Sequence, residues 1–199
     1  GWCHGPSGLA RLYHRLGAIT GDASYRASVE QLATATVDMK VPDRSSGYWN
    51  NVSQCCGNCG VLEFFTSLHL VRHDTRHLAF AERLARDTIA RGTVDGDGTK
   101  WVQAENRTSP DDAVAQTGLM QGAAGVGLAM LHLDGAITGR TPAVVLPDNP
   151  FSCAAGSWDA SHVPSARLHP KSTRDGPPDH RSGGPCCIGE TAVTCQPAA

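Results

Sequence analysis

Residues 54–60 read QCCGNCG, and the related stretch GWCHGPSG occupies residues 1–8. In each stretch a cysteine stands two positions before a Gly-x-x-Gly pair, and an apolar run at helical spacing follows. The runs are Leu9, Leu12, Tyr13 and Leu16 after the first stretch, and Val61, Phe64, Phe65 and Leu68 after the second. Because apolar residues at this spacing indicate an amphipathic helix, both stretches predict a helix that begins at its glycines.

The two stretches belong to a repeat with an offset of 52 residues. Eight positions of the first copy meet identical residues in the second: Gly5, Gly8, Leu16, Asp22, Ala27, Glu30, Leu32 and Ala33 align with Gly57, Gly60, Leu68, Asp74, Ala79, Glu82, Leu84 and Ala85. A third copy without cysteine begins at QGAAG, residues 121–125. Self-similarity at such a period is typical of folds that stack one supersecondary unit on the next.

Each copy is interpreted as a helical hairpin. The predicted helices of the first two copies span 7–18, 23–38, 60–73 and 75–91. Asp22 and Asp74 are the expected N-caps of the second helix in each pair, because a short carboxylate side chain accepts a hydrogen bond from the first helical turn. In the last of these helices the residues expected to face inward are Leu78, Ala81, Leu84, Ala85 and Ile89.

These hairpins predict an all-α fold, part of an α/α toroid in which one helix of each pair forms an inner ring. Glycines at the inner helix starts would let backbones crowd around a central cavity. Three copies are too few to close such a ring, so we expect an incomplete barrel over residues 1–151, with its upstream part missing. Residues 152–199 lack any helical or alternating period, and 17 of the 48 are Pro, Gly or Ser, which predicts a disordered tail.

Composition narrows the classes of function. With a net charge of −2, the chain has no excess of basic residues to attract nucleic acid. No apolar run of about 18 residues is present for a membrane span.

Eight cysteines are compatible with a disulfide framework. The helical hairpins and the adjacent pair Cys55-Cys56 favour reduced, metal-binding thiolates instead. We therefore expect a reducing compartment, the cytoplasm.

When the two copies are aligned, Cys3 matches Cys55 and His4 matches Cys56, so soft metal ligands recur at one position of the repeat. If both copies face one cavity, Cys3, Cys55 and Cys56 supply three thiolates. Thiolates at helix N-termini have lowered pKa values, and soft sulfur donors select zinc before Cu(I) or iron–sulfur. Three ligands with one open position are typical of a catalytic zinc site that accepts an incoming thiolate.

Other interpretations of these residues stay open. Each cysteine is also compatible with a small buried apolar residue, and Cys59 with a small-residue position on the inner helix or with a C-x-x-C pair. His4 is a candidate catalytic proton donor, a ligand or a cavity-lining residue. The remaining histidines of the first two copies are expected on solvated helix surfaces: His14, His69, His73 and His77.

Together these motifs resemble the lanthionine synthetase C-like family. The stretches that carry the resemblance are WCHG at 2–5, CCG at 55–57, QGAAG at 121–125, WNNVSQ at 49–54, WVQAE at 101–105 and LPDNPF at 146–151. The resemblance covers residues 1–151 and corresponds to the C-terminal part of the family's domain. It implies a barrel of about seven hairpins with a central zinc ion, held here by Cys3, Cys55 and Cys56. Cysteine at position 56, where histidine is commoner, matches the family's all-cysteine subgroup.

The implied reaction is conjugate addition of a peptide cysteine to dehydroalanine or dehydrobutyrine, which closes a thioether ring. The expected partner is therefore a peptide with cysteine and dehydrated Ser or Thr. Family members carry further acid–base residues in earlier repeats, so the chain alone is expected to be inactive. Two alternatives remain: addition of a small thiol such as glutathione to dehydrated residues, and a non-catalytic peptide-binding module with a structural zinc.

Overall fold

Five α-helices and one short β-hairpin make up the regular structure of residues 1–43, 51–102, 114–140 and 149–151, the parts of the chain that the computed structural model describes. The elements are α1 Pro6–Thr20, α2 Ala23–Asp38, α3 Asn58–Arg72, α4 Thr75–Ala90, β1 Thr93–Asp95, β2 Gly98–Lys100 and α5 Ala123–Thr138. The all-α prediction is confirmed, and each predicted helix boundary lies within two residues of the observed one. The expected tail, residues 152–199, lies outside the described residues.

The helices pair as the repeat predicts, with α1 packed along α2 and α3 packed along α4. Helix α3 also contacts α1 and α5, so the first helices of the three copies are neighbours. Every residue of α3 from Asn58 to Leu68 is buried. Helix α3 is thus the central inner helix of the described fold. Within the described ranges, no helix has the length and apolar character needed to cross a bilayer.

Equivalent residues begin and end the helices of different copies. The Asp22 carboxylate accepts a hydrogen bond from Ser24 N at 2.8 Å, and the Asp74 carboxylate accepts one from Arg76 N, also at 2.8 Å. Both predicted N-caps are therefore confirmed. The inner helices α1, α3 and α5 each begin after the first glycine of a Gly-x-x-Gly pair, with Gly5, Gly57 and Gly122 as N-caps.

The second glycine of each pair is required by close packing. A Cβ atom at Gly60 would collide with the backbone carbonyl oxygen of Gln54, six residues earlier. The same collision recurs in the other copies, between Gly8 and Trp2 and between Gly125 and Leu119. The loop before each inner helix therefore lies directly against the first helical turn, and only glycine leaves room for it.

Helix α1 buries a different face from the one its apolar run suggests. Its buried residues are Ser7, Ala10, Arg11, His14 and Gly17. Leu9 and Leu12 are exposed instead. The prediction that Ile89 faces inward in α4 is also wrong, because its side chain is 62% exposed. Periodicity identifies an apolar face, but the neighbouring elements determine which face is covered.

Two histidines on the inner helices α1 and α5 are buried. His14 packs on the Phe151 ring with centroids 4.1 Å apart, so the prediction of a solvated His14 is wrong. His132 of α5 is 2% exposed. Burial, with the nearby charge of Arg11, lowers the pKa of His132 from 6.5 to about 4. Burial and the charge of Arg72 lower the pKa of His14 to about 4 as well.

These histidines should make the fold sensitive to acid. Because folded His132 titrates near 4 and unfolded histidine near 6.5, the unfolded state binds more protons between these values, and stability falls as the pH falls. One such histidine accounts for about 2 kcal/mol between pH 7 and pH 5. We expect His132→Leu to reduce the pH-dependent loss by about this amount, measured by urea unfolding at both pH values. An equal loss in variant and wild type would contradict the assignment.

Candidate metal centre

A backbone hydrogen bond that repeats between copies brings the cysteine segments together. Cys55 O accepts hydrogen bonds from Trp2 N at 2.8 Å and from Cys3 N at 3.2 Å. At the next junction Cys55 N donates to Met120 O at 2.9 Å. Cys3, Cys55 and Met120 occupy equivalent positions of the three copies. The chain therefore places Cys3 beside Cys55 through main-chain geometry that the repeat itself encodes.

The three predicted thiols form one cluster. Cys3 Sγ lies 3.0 Å from Cys56 Sγ, and Cys56 Sγ lies 3.5 Å from Cys55 Sγ. All three sulfur atoms lie within 4.8 Å of one another, and each side chain is partly accessible to solvent. The structure thus brings together the three cysteines that the sequence predicts as metal ligands.

The cluster fits a zinc ion in both donor type and spacing. Zinc–thiolate bonds of about 2.3 Å in a tetrahedron place the sulfur atoms about 3.8 Å apart. The observed separations, from 3.0 Å to at most 4.8 Å, bracket this value. Three protein sulfurs would fill three of the four positions and leave one for a further ligand.

The surroundings of Cys3 lower the pKa of its thiol. Burial opposes ionisation of Cys3, but hydrogen bonds from the thiols of Cys56 and Cys55 outweigh it, so the pKa of Cys3 is below its ordinary value. The cysteines also precede the N-termini of α1 and α3, where the helix dipole stabilises negative charge. A cation placed among the sulfurs would lower these pKa values further.

Two polar residues that were not predicted as site residues support the cysteine pair. Asn51 Oδ1 accepts hydrogen bonds from Ser53 N at 2.9 Å and from Ser53 Oγ at 2.7 Å. Ser53 Oγ in turn accepts from Cys56 N at 3.2 Å. Both polar residues are buried. The signal available in the sequence was their place in the WNNVSQ stretch immediately before the cysteine pair.

Cys59 and His4 lie outside the cluster. Cys59 is fully buried in the core on α3, and burial raises the pKa of its thiol to about 12. The small-residue interpretation of Cys59 is confirmed. His4 is exposed, and within the described residues it is not among the side chains that could share a metal ion. Its catalytic role stays a prediction.

The fold and the cluster define an all-α protein of repeated helical hairpins with three cysteines between two repeats that could hold a metal ion. The family model for lanthionine synthetase C-like protein matches residues 1–146. The match covers most of the 199 residues, and the chain belongs to this family. No curated protein matches the chain significantly.

Proposed function

We propose that the protein takes part in zinc-dependent peptide modification, in which a cysteine thiol adds to dehydroalanine or dehydrobutyrine. The observation that carries this proposal is the cluster of Cys3, Cys55 and Cys56, with sulfur atoms within 4.8 Å of one another, in a chain of the lanthionine synthetase C-like family. A cysteine at position 56 supports placement in the family's all-cysteine subgroup.

The three cysteines would hold the zinc ion, which when bound supplies a Lewis acid that lowers the pKa of an incoming thiol. Their own loops are fixed by the bonds from Trp2 and Cys3 to Cys55 O, so the accessible side of the cluster is preorganised for that thiol. The thiolate sulfur bonds to the β-carbon of the dehydrated residue, and the α-carbon takes a proton. We propose exposed His4 as one donor of that proton.

We further propose that catalytic turnover requires a larger barrel. The stripe Leu9, Leu12, Leu16 and Ile19 follows one face of α1, and all but Leu16 are exposed. A contiguous apolar face of this kind is suited to cover by another hairpin. The chain alone is then expected to bind metal and thiol but to lack further proton-transfer groups. Because close, partly accessible thiols oxidise readily, a reducing compartment such as the cytoplasm is part of the proposal.

Thiol binding at an open metal position separates this proposal from a structural zinc site. We expect the Co²⁺-loaded chain to respond to a short cysteine peptide with a rise of about a third in sulfur-to-cobalt absorption, as three thiolates become four. The serine analogue of the peptide is the control and should leave the spectrum unchanged. A spectrum that no thiol alters would favour the non-catalytic module.

Titration of the Co²⁺-loaded chain with different thiols also tests the alternative in which a small thiol such as glutathione is the donor. Tighter binding of the cysteine peptide than of glutathione supports ring formation within a peptide, whereas the reverse order supports addition of a small thiol. His4→Ala should leave the cobalt spectrum and thiol binding unchanged, because His4 is not part of the sulfur cluster. In the larger barrel the same variant should slow turnover by roughly 100-fold or more, as loss of a proton donor does.

A further inference from the structure

Gln54 and Glu63 form a buried polar pair directly behind the cysteine pair. Gln54 immediately precedes Cys55 and is fully buried, and Glu63 is 2% exposed on the second turn of α3. Gln54 Nε2 donates a hydrogen bond to Glu63 Oε2. A buried carboxylate and a buried amide are both costly unless they are hydrogen-bonded. The pair therefore fixes the side chain of Gln54 firmly to α3.

The backbone of Gln54 is held between two helix starts. Its carbonyl oxygen occupies the space that a side chain at Gly60 would need. On the opposite side, Gln54 Cβ lies 3.0 Å from the position of a Cβ atom at Gly125. Gln54 is thus wedged between the N-termini of α3 and α5. Its backbone therefore has little room to move, and Cys55 is the next residue.

The position of Cys55 determines the geometry of the whole cluster. Its carbonyl oxygen holds Trp2 and Cys3 through two hydrogen bonds, and its neighbour Cys56 contacts both other sulfurs. A shift of Cys55 therefore displaces sulfur atoms contributed by both repeats. Metal sites depend strongly on residues that orient their ligands, and loss of such a residue typically weakens metal binding about 10- to 100-fold.

We propose that Glu63 is a positioning residue of the thiolate centre and acts through Gln54. The inference rests on the proposed metal binding by the cysteine cluster. The hydrogen bond from the Gln54 amide to the Glu63 carboxyl group holds Cys55 and Cys56 in the register that directs both sulfurs towards Cys3. An apolar pair of equal size would pack as well but would not fix this orientation.

The double variant Gln54→Met/Glu63→Met removes both ends of this hydrogen bond and so tests the proposal. Methionine matches both side chains in length, so we expect near-native stability by urea unfolding. We also expect the dissociation constant for Co²⁺ to rise about 10- to 100-fold, with a broadened ligand-field spectrum. The single variant Glu63→Gln keeps an acceptor for the Gln54 amide, so its affinity for Co²⁺ should lie within about threefold of that of the wild type.

Thr66→Val is the matched control. Thr66 is fully buried on α3, one turn beyond Glu63, and its hydroxyl donates to Leu62 O at 2.9 Å. This variant should bind Co²⁺ as the wild type does. A folded double methionine variant with wild-type affinity and spectrum would overturn the positioning role alone. A folded wild type that binds no Co²⁺ would overturn the metal centre, and the role of Glu63 with it.

Discussion

Cys56→Ser is expected to remove most of the zinc from the full chain. Prepared under reducing conditions, the wild type should carry about one zinc ion, held by three thiolates. The Cys56 sulfur lies 3.0 Å from that of Cys3 and 3.5 Å from that of Cys55, so it is the member of the cluster that contacts both others. Loss of one thiolate should cost about 3 kcal/mol, or roughly 100-fold in affinity. Elemental analysis after dialysis against a weak chelator measures the result.

Cys59→Ser provides the control for this experiment, three residues away in the same segment. Cys59 is fully buried in the core of α3 and does not belong to the sulfur cluster. Its replacement should lower stability by about 1–2 kcal/mol because a hydroxyl replaces a buried sulfur, while the zinc content stays at about one. Equal zinc loss in both variants would show that the metal follows folding and not the cluster.

The cysteine cluster was predictable from the sequence because one repeat unit generates it. Cys3 and Cys55 occupy the same position in successive copies. The similar sequence at each inner helix start produces the same backbone hydrogen bond between one copy and the next. The caps at Asp22 and Asp74 were predictable for the same reason. Features that recur in each copy depend on local sequence, and sequence patterns can predict features of that kind.

The supporting residues and the buried face of α1 were not predictable in this way. Ser53 and Gln54 lie in a loop without any period, and their roles depend on contacts with Asn51 and Glu63 that form only after the chain folds. In α1 the apolar stripe marked by Leu9 is exposed. Which face of a helix is buried depends on the elements packed around it, and the helix's own sequence does not contain that information.

Gly60→Ala is expected to destabilise the fold and the metal centre together. In most helices this change is favourable by about 0.5–1 kcal/mol, because alanine loses less conformational freedom on folding. At Gly60, however, the new Cβ would collide with the carbonyl oxygen of Gln54 and would lie 3.2 Å from Trp2 Cβ. A backbone atom held between two helices cannot move aside cheaply, so we expect a loss of about 3 kcal/mol. Urea unfolding and zinc content measure the two effects.

Gly127→Ala makes the same chemical change on α5, where, among the described residues and apart from the adjacent backbone of the helix itself, no heavy atom lies within 4 Å of the added Cβ. It should therefore raise the free energy of unfolding by about 0.5–1 kcal/mol and leave the zinc content unchanged. A loss of stability in Gly60→Ala and a gain in Gly127→Ala would distinguish the effect of close packing from that of helix propensity. Stabilisation by Gly60→Ala would mean that the loop before α3 does not lie against the helix start.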